Sequence, residues 1–231
     1  MSASSLSQRL TTTVAKELLV GITGIILVLF IIGHLAGNLL IFVGPEAFNL
    51  YAEKLADLGP LLWVARIGLI AAAIAHISTA ILLARLNRIA RPDRYAHIAY
   101  MGKKSMATRT MIFSGIAILA FLFLHLYDFT FPEKAGPASV VAGENLGLYG
   151  LVWNTFSNPL HSLIYIIAVS AVGLHLSHAI SSVVVTLGVL SDKATDKMDI
   201  IGKVIGLVIA LGFAAIPIYV LVHTYIIGVE A

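Results

Sequence analysis

Apolar residues run along this chain in long uninterrupted stretches, not in the alternating or one-sided patterns of a soluble fold. Charge-poor segments extend over Lys16–Val43, Leu61–Leu86, Met106–Phe131, Pro159–Leu190 and Ile200–Ile227. About 20 apolar residues suffice to cross a bilayer as a helix. Each stretch is longer than that, so the pattern predicts an all-α membrane bundle of five tilted spanning helices in a single domain covering all 231 residues. Between the spans, Gly44–Pro60 carries Glu46, Glu53 and Asp57 in the weakly amphipathic pattern of an interfacial helix. Glu133–Asn158 is glycine-rich, and neither connection is long enough for a domain of its own. The segment Ser2–Thr13 is polar and no small-residue cleavage site follows the first apolar run, so the first span is expected to remain in the mature protein.

Composition supports the membrane reading. Hydrophobic residues make up 59% and charged residues 12% of the chain, where a soluble domain carries about 25% charged residues. Mean hydropathy is +0.95. The charges that remain are unevenly spread. Arg9, Lys16, Arg85, Arg88, Arg91, Arg94, Lys103, Lys104, Arg109, Lys193, Lys197 and Lys203 fall on one side, twelve of the fifteen basic residues, and Lys54, Arg66 and Lys134 fall on the other. The positive-inside rule then predicts a cytoplasmic N-terminus, cytoplasmic second and fourth connections, and an outside C-terminus. The net charge of +3 is an orientation signal and calls for no nucleic-acid partner. The basic connection from Arg85 to Arg109 suits lipid headgroups and also the docking of a cytoplasmic protein. With no cysteine in the chain, disulfides, zinc–thiolate sites, iron–sulfur ligation and covalent haem attachment are excluded.

Eight histidines in so apolar a chain need explaining, because ionisable side chains inside a bilayer are costly and usually functional. Four lie well within spans, one on each of the first four: His34, His76, His125 and His175. At 1.5 Å per residue, His34 and His125 both lie roughly 27 Å from the cytoplasmic starts of their helices, in the outer half. His76 and His175 lie on helices running the other way, near the middle or in the inner half. Depth therefore pairs His34 with His125 and His76 with His175. Two neutral imidazoles at one depth on facing helices can hold a haem b iron from both sides, and two such pairs would stack two haems across the membrane. Gly33, Ala36 and Gly37 beside His34, Ala72, Ala73 and Ala75 before His76, and Gly173 before His175 leave room for a flat macrocycle. His125 has no such neighbours. A lone histidine would be explained by a hydrogen bond between helices; four in two depth classes are not. Pairs on two levels also do not make a tetrahedral zinc centre. On spacing alone His178, three residues after His175, is an alternative ligand. His161 and His223 lie near the outer surface, where a quinone or the interface itself would account for them, and His97 falls in the basic connection.

At these histidines the sequence resembles the one-chain, five-helix, two-haem cytochrome b subunit of succinate dehydrogenases and fumarate reductases. The resemblance covers nearly the whole chain. It is carried by GHLAGNLLIFVGPEAFNLYAEKL (Gly33–Leu55), NRIARPDRY (Asn87–Tyr95), ATRTMIFSG (Ala107–Gly115), FSNPLHSLIYIIA (Phe156–Ala168) and GLHLSHA (Gly173–Ala179). It implies His34, His76, His125 and His175 as axial ligands, with His175 preferred over His178 and the same pairing as depth gives. It further implies an anchor in the bacterial cytoplasmic membrane, a respiratory complex II component of the tricarboxylic acid cycle. Such an anchor binds a cytoplasmic flavoprotein with covalent FAD and an iron–sulfur subunit, and carries electrons between them and a membrane quinone, menaquinone for a dihaem anchor with an outer site. The dicarboxylate chemistry would reside on the flavoprotein.

Glu53, Asp57, Tyr127 and Asp128 are at a depth to serve the quinone's protons. Arg109 is suited to grip a propionate of the inner haem. The middle of the spans holds no Asp or Glu, and position 173 is glycine, so no carboxylate offers a proton path through the bilayer. A hydrogenase or formate dehydrogenase cytochrome b would share this chemistry without these segments. A histidine-relay transporter would call for broken helices in inverted repeats, and only Pro217 interrupts a span.

Overall fold

The structure, a computed structural model, describes residues 12–90, 102–186 and 192–228, and the side chains of 102–109, 185–186 and 192–196 are outside that description. Among the described residues, five helices are long and apolar enough to span a membrane. The first, α1 (Thr13–Asn38), begins where the Thr12 hydroxyl accepts the Ala15 N–H, and it runs on through a tight turn at Leu39–Phe42. Two glycine–proline pairs then steer the chain. Gly44 at φ 127° and Gly59 at φ 52° take backbone positions that L side chains rarely adopt, and Pro45 and Pro60 open the next helices, where a missing N–H costs nothing. They bracket α2 (Pro45–Ala56), the expected interfacial helix, and start α3 (Pro60–Ile89).

The remaining spans are α4 (Gly102–Phe129), α6 (Pro159–Thr186) and α7 (Asp192–Val222), which ends in a wide turn at His223–Ile227. The helices start and stop a few residues away from the apolar limits read from the sequence, and the last span begins eight residues before Ile200, because polar first turns continue an apolar helix without a break. Large apolar side chains such as Ile67 and Phe123 face outward at 63% and 67% exposure, as a lipid-facing surface requires.

The glycine-rich connection after α4 carries secondary structure of its own. A turn at Pro137–Ser139 leads into a two-stranded hairpin, β1 (Val140–Val141) and β2 (Glu144–Asn145), with Val140 opposite Asn145 and Val141 opposite Glu144. Ala142 and Gly143 turn it, both at positive φ. Helix α5 (Gly147–Phe156) follows, and Tyr149, Val152, Trp153 and Phe156 on it join Ile41, Phe48, Tyr165, Ile216 and Val220 in the largest buried cluster. Asn49 fastens α2 to this cap: its Nδ2 donates to the Leu146 carbonyl at 2.9 Å and its Oδ1 accepts the Tyr149 N–H at 3.1 Å.

The spans pack in pairs, α1 on α3, α4 on α6, and α6 most intimately on α7. Glycines set the last interface, where a Cβ on Gly206 would collide with the Gly173 carbonyl and one on Gly202 would stand 2.7 Å from the Ser177 carbonyl. Without a hydrophobic drive between helices in lipid, close backbone approach of this kind supplies the attraction. The α1–α3 and α4–α6 hairpins meet mainly through α1 against α6 and α7. Backbones of α1 and α4, and of α3 and α6, scarcely approach one another.

Candidate functional site

The four intramembrane histidines sit between those hairpins. His34 of α1 and His125 of α4 come together edge to face, ring centroids 5.7 Å apart and planes at 86°. An imidazole nitrogen stands about 2 Å from a bound transition metal, so two ligands on opposite sides of one ion have centroids about 6 Å apart. Phe30 stacks on His34 at 5.3 Å, Phe121 lies 5.7 Å from His125, and Phe213 of α7 lies 5.9 Å from His34. Phe129, Phe156 and Tyr165 roof His125 on the side of the cap. The His125 Nδ1 is buried with no hydrogen-bond partner among the described residues.

The second pair is built differently. His76 Nδ1 stands 3.1 Å from the Val20 carbonyl and 3.3 Å from the Thr23 hydroxyl. A carbonyl only accepts, so Nδ1 carries the proton and Nε2 keeps its lone pair. His175 Nδ1 stands 3.0 Å from the Ser114 hydroxyl, whose own proton goes to the Thr110 carbonyl at 2.7 Å. Ser114 therefore accepts as well, and both histidines are held in the tautomer that leaves Nε2 free for a metal. Their rings are not in contact, but His175 lies within electrostatic range of His76.

Glycines make room for these two rings. An added Cβ on Gly24 would stand 3.3 Å from His76 Cε1, and one on Gly115 3.6 Å from His175 Cε1. Gly24 comes ten residues before His34 and Gly115 ten before His125, so along both α1 and α4 the two levels are about 15 Å apart. Thr23-Gly24 and Ser114-Gly115 are equivalent points of an internal repeat, TGIILVLFIIGH (Thr23–His34) and SGIAILAFLFLH (Ser114–His125). Reading the histidines by depth missed the two hydroxyls, and this repeat was the signal that could have found them.

Other residues singled out from the sequence fall in varied places. Gly173 does not make room beside His175; it lies against Gly206 of α7, because residues two apart on a helix face opposite sides. Gly37 lies beneath the Tyr51 ring of α2, while an added Cβ on Gly33 would meet nothing. Glu53 and Asp57 are exposed at the end of α2, and Tyr127 is 71% exposed. Asp128, by contrast, accepts from the Tyr165 hydroxyl at 2.6 Å and pairs with His161 Nε2 at 2.9 Å. His178 is half-buried one turn from His175. His223 Nδ1 donates to the Tyr219 carbonyl at 2.9 Å, beneath Trp153. The Arg109 side chain and His97 lie outside the described residues.

Among the described residues no three His, Asp or Glu side chains converge; His34 meets His125, while His76 and His175 are each tied to a neighbouring helix of their own hairpin. Two imidazoles per level, lone pairs free at the inner level, and hairpins held apart where the rings meet suit a planar metal macrocycle with two axial ligands. Compared with protein-family models, curated proteins and solved structures, the chain finds no match.

Proposed function

We propose that this chain is the dihaem b membrane anchor of a succinate:quinone oxidoreductase. In that role it holds a flavoprotein and an iron–sulfur subunit on its basic face and carries electrons between them and quinone. The observation that carries the reading is the contact of His34 with His125 at 5.7 Å, with His76 and His175 at a second level tied through Nδ1 to α1 and α4. The sequence segments that resemble this family run through the same elements. They include GHLAGNLLIF on α1 and GLHLSHA on α6.

Each part of the chain has work in this function. His34 with His125 and His76 with His175 would hold two haems, and bound haem supplies a one-electron iron couple at each level. Val20, Thr23 and Ser114 fix the inner imidazoles, and ligand orientation of this kind accounts for a large share of metal affinity. Phe129, Phe156 and Tyr165 keep water from the outer pair, which lowers the local dielectric around the redox centre. The basic ends Arg85, Arg88, Lys197 and Lys203 face the side where the soluble subunits would dock, the cytoplasm under the positive-inside rule. The redox groups of those subunits reside on them, as the cysteine-free anchor requires.

Reduced-minus-oxidised absorption of the purified protein, with haem quantified per chain, tests the function. Two b-type haems are expected, with His76→Leu or His175→Leu removing one and leaving the other. A chain that binds no haem when expressed with a full haem supply overturns the reading. Loss of both haems in His76→Leu and of neither in His34→Leu refutes the pairing.

A further inference from the structure

Beyond the histidines assigned to haem, one polar constellation stands at the outer end of the α4–α6 pair. The Asp128 side chain is only 10% exposed, and one of its oxygens, Oδ2, accepts both the Tyr165 hydroxyl at 2.6 Å and His161 Nε2–H at 2.9 Å. His161 is 26% exposed in its side chain, and with Nε2 committed to Asp128 its Nδ1 is the atom left for an outside partner. The Asn158 side chain accepts the Leu160 and His161 N–H groups at the start of α6, so the backbone carrying the imidazole is fixed too. A buried carboxylate that orients an imidazole and carries its countercharge is the arrangement used to move protons on and off a substrate oxygen.

Its surroundings decide which substrate. Among the described residues Tyr165 is the ring that lies against both this dyad and the outer histidine pair, with its centroid 5.2 Å from His161 and 6.2 Å from His125. Asp128 follows His125 by three residues, on the same face of α4. On the lipid side, Leu160 and Ile164 beside His161 and Tyr127 and Phe131 beside Asp128 are all exposed apolar or aromatic groups. An apolar substrate arriving sideways from the bilayer would meet the imidazole without crossing water.

We propose that His161, oriented by Asp128 and Tyr165, is the proton-exchanging residue of a quinone headgroup site. The proposal rests on the function given above and deepens it. Reducing a quinone to hydroquinone takes two electrons and two protons. The electrons would come, one at a time, from a one-electron iron couple that His34 and His125 would hold, and that couple would be oxidised as the quinone is reduced. One proton passes from His161 Nδ1 to the nearer quinone oxygen, and His161 regains it from water at the outer face. The second proton reaches the far oxygen from that water directly. Hydroquinone oxidation is the same sequence reversed. His161 would be a catalytic residue; Asp128 and Tyr165 act through it as positioning residues.

The test uses the full chain in lipid nanodiscs and titrates a fluorescent 2-alkyl-4-hydroxyquinoline N-oxide, a hydroquinone mimic, whose emission falls on binding. His161→Gln and Asp128→Asn should weaken binding about tenfold, the loss of one good hydrogen bond. Tyr165→Phe, which removes only a hydroxyl, should weaken it severalfold, and Asp128→Glu should restore part of the loss. Haem content should be unchanged throughout. In the assembled enzyme, His161→Gln should lower kcat for quinone reduction far more than it raises KM. Unchanged probe affinity in Tyr165→Phe and His161→Gln overturns the proposal, as does a loss seen with Glu53→Gln or Asp57→Asn instead. A wild-type chain without haem overturns the function proposed above, and the same titration then still decides whether the dyad holds a quinone headgroup.

Discussion

His76 keeps a hydrogen-bonded carbonyl when its hydroxyl partner is removed and His175 loses its hydroxyl acceptor outright, and that difference gives the sharpest expectation. His175 Nδ1–H goes to the Ser114 hydroxyl at 3.0 Å. In Ser114→Ala the acceptor vanishes from a buried position, Ser114 being 6% exposed. An unpaired buried N–H costs about 1–3 kcal/mol, and removing the partner of a metal-ligating histidine lowers metal affinity about 10- to 100-fold. The low end of that range, a loss of about tenfold, is the expected outcome. His76 is different: Thr23→Val removes a contact at 3.3 Å but leaves the Val20 carbonyl at 3.1 Å. Its loss should be no more than about 0.5 kcal/mol, a factor of about two. Both variants are best made in a His34→Leu chain, so that the remaining b-type absorption reports the inner site alone. The readout is the rate at which that haem transfers to excess apomyoglobin. Equal rates for the two variants, or faster loss from Thr23→Val, would refute the tautomer argument.

Two further expectations follow from the packing. Gly24→Ala sets a methyl 3.3 Å from His76 Cε1, a ring already tied to Val20, whereas Gly115→Ala meets His175 Cε1 at an ordinary 3.6 Å; in the proposed reading the first should shift the absorption band of a haem held at the inner level and the second should not, and the reverse order would mean that the rings do not rest on these glycines. Asn49→Ala removes both links between α2 and the outer cap and leaves the Leu146 carbonyl and the Tyr149 N–H without that partner, so the unfolding free energy should fall by about 2 kcal/mol or more; thermal unfolding in detergent measures it, and an unchanged midpoint would show that the cap does not need α2.

The number of spans was legible because a bilayer imposes long apolar runs, and the approach of His34 to His125 because a helix converts residue count to distance at a fixed rise. Other features required contacts that no local pattern announces. Asn49 and Leu146 are 97 residues apart, and the cap they join reads in sequence only as a glycine-rich connection. Thr23 and Ser114 each return a hydrogen bond to the carbonyl four residues back, as hydroxyls in apolar helices commonly do. Only their equivalent places in the repeat separate them from Ser78 or Ser170, which make the same bond and are exposed. Gly173 misled for a geometric reason, since closeness in sequence to a ligand puts a residue two positions away on the far side of the helix. Asp128 stood out only as one polar residue among several near the outer surface, and its pairing with His161 and Tyr165 spans 33 and 37 residues.

The repeat also constrains how the two levels depend on each other. Each hairpin contributes one histidine to each level, His34 and His76 from α1 and α3, His125 and His175 from α4 and α6. In the proposed reading, a metal at either level therefore cross-links two hairpins that otherwise meet mainly through α1 against α6 and α7. The glycine-lined α6–α7 interface needs no ligand, whereas α3 has its main partner in α1 alone. Free energy of metal binding then becomes free energy of assembling the hairpins. The inner level would bear more of it, because a metal shared by His76 and His175 would tie α3, whose histidine otherwise bonds only to Val20 and Thr23 of α1 among the described residues, to the other half. The outer level leans instead on the aromatic roof of Phe129, Phe156 and Tyr165, which packs with or without a metal. Loss of the inner pair should thus loosen α3 first, while loss of the outer pair leaves the cap and its His161–Asp128 dyad standing.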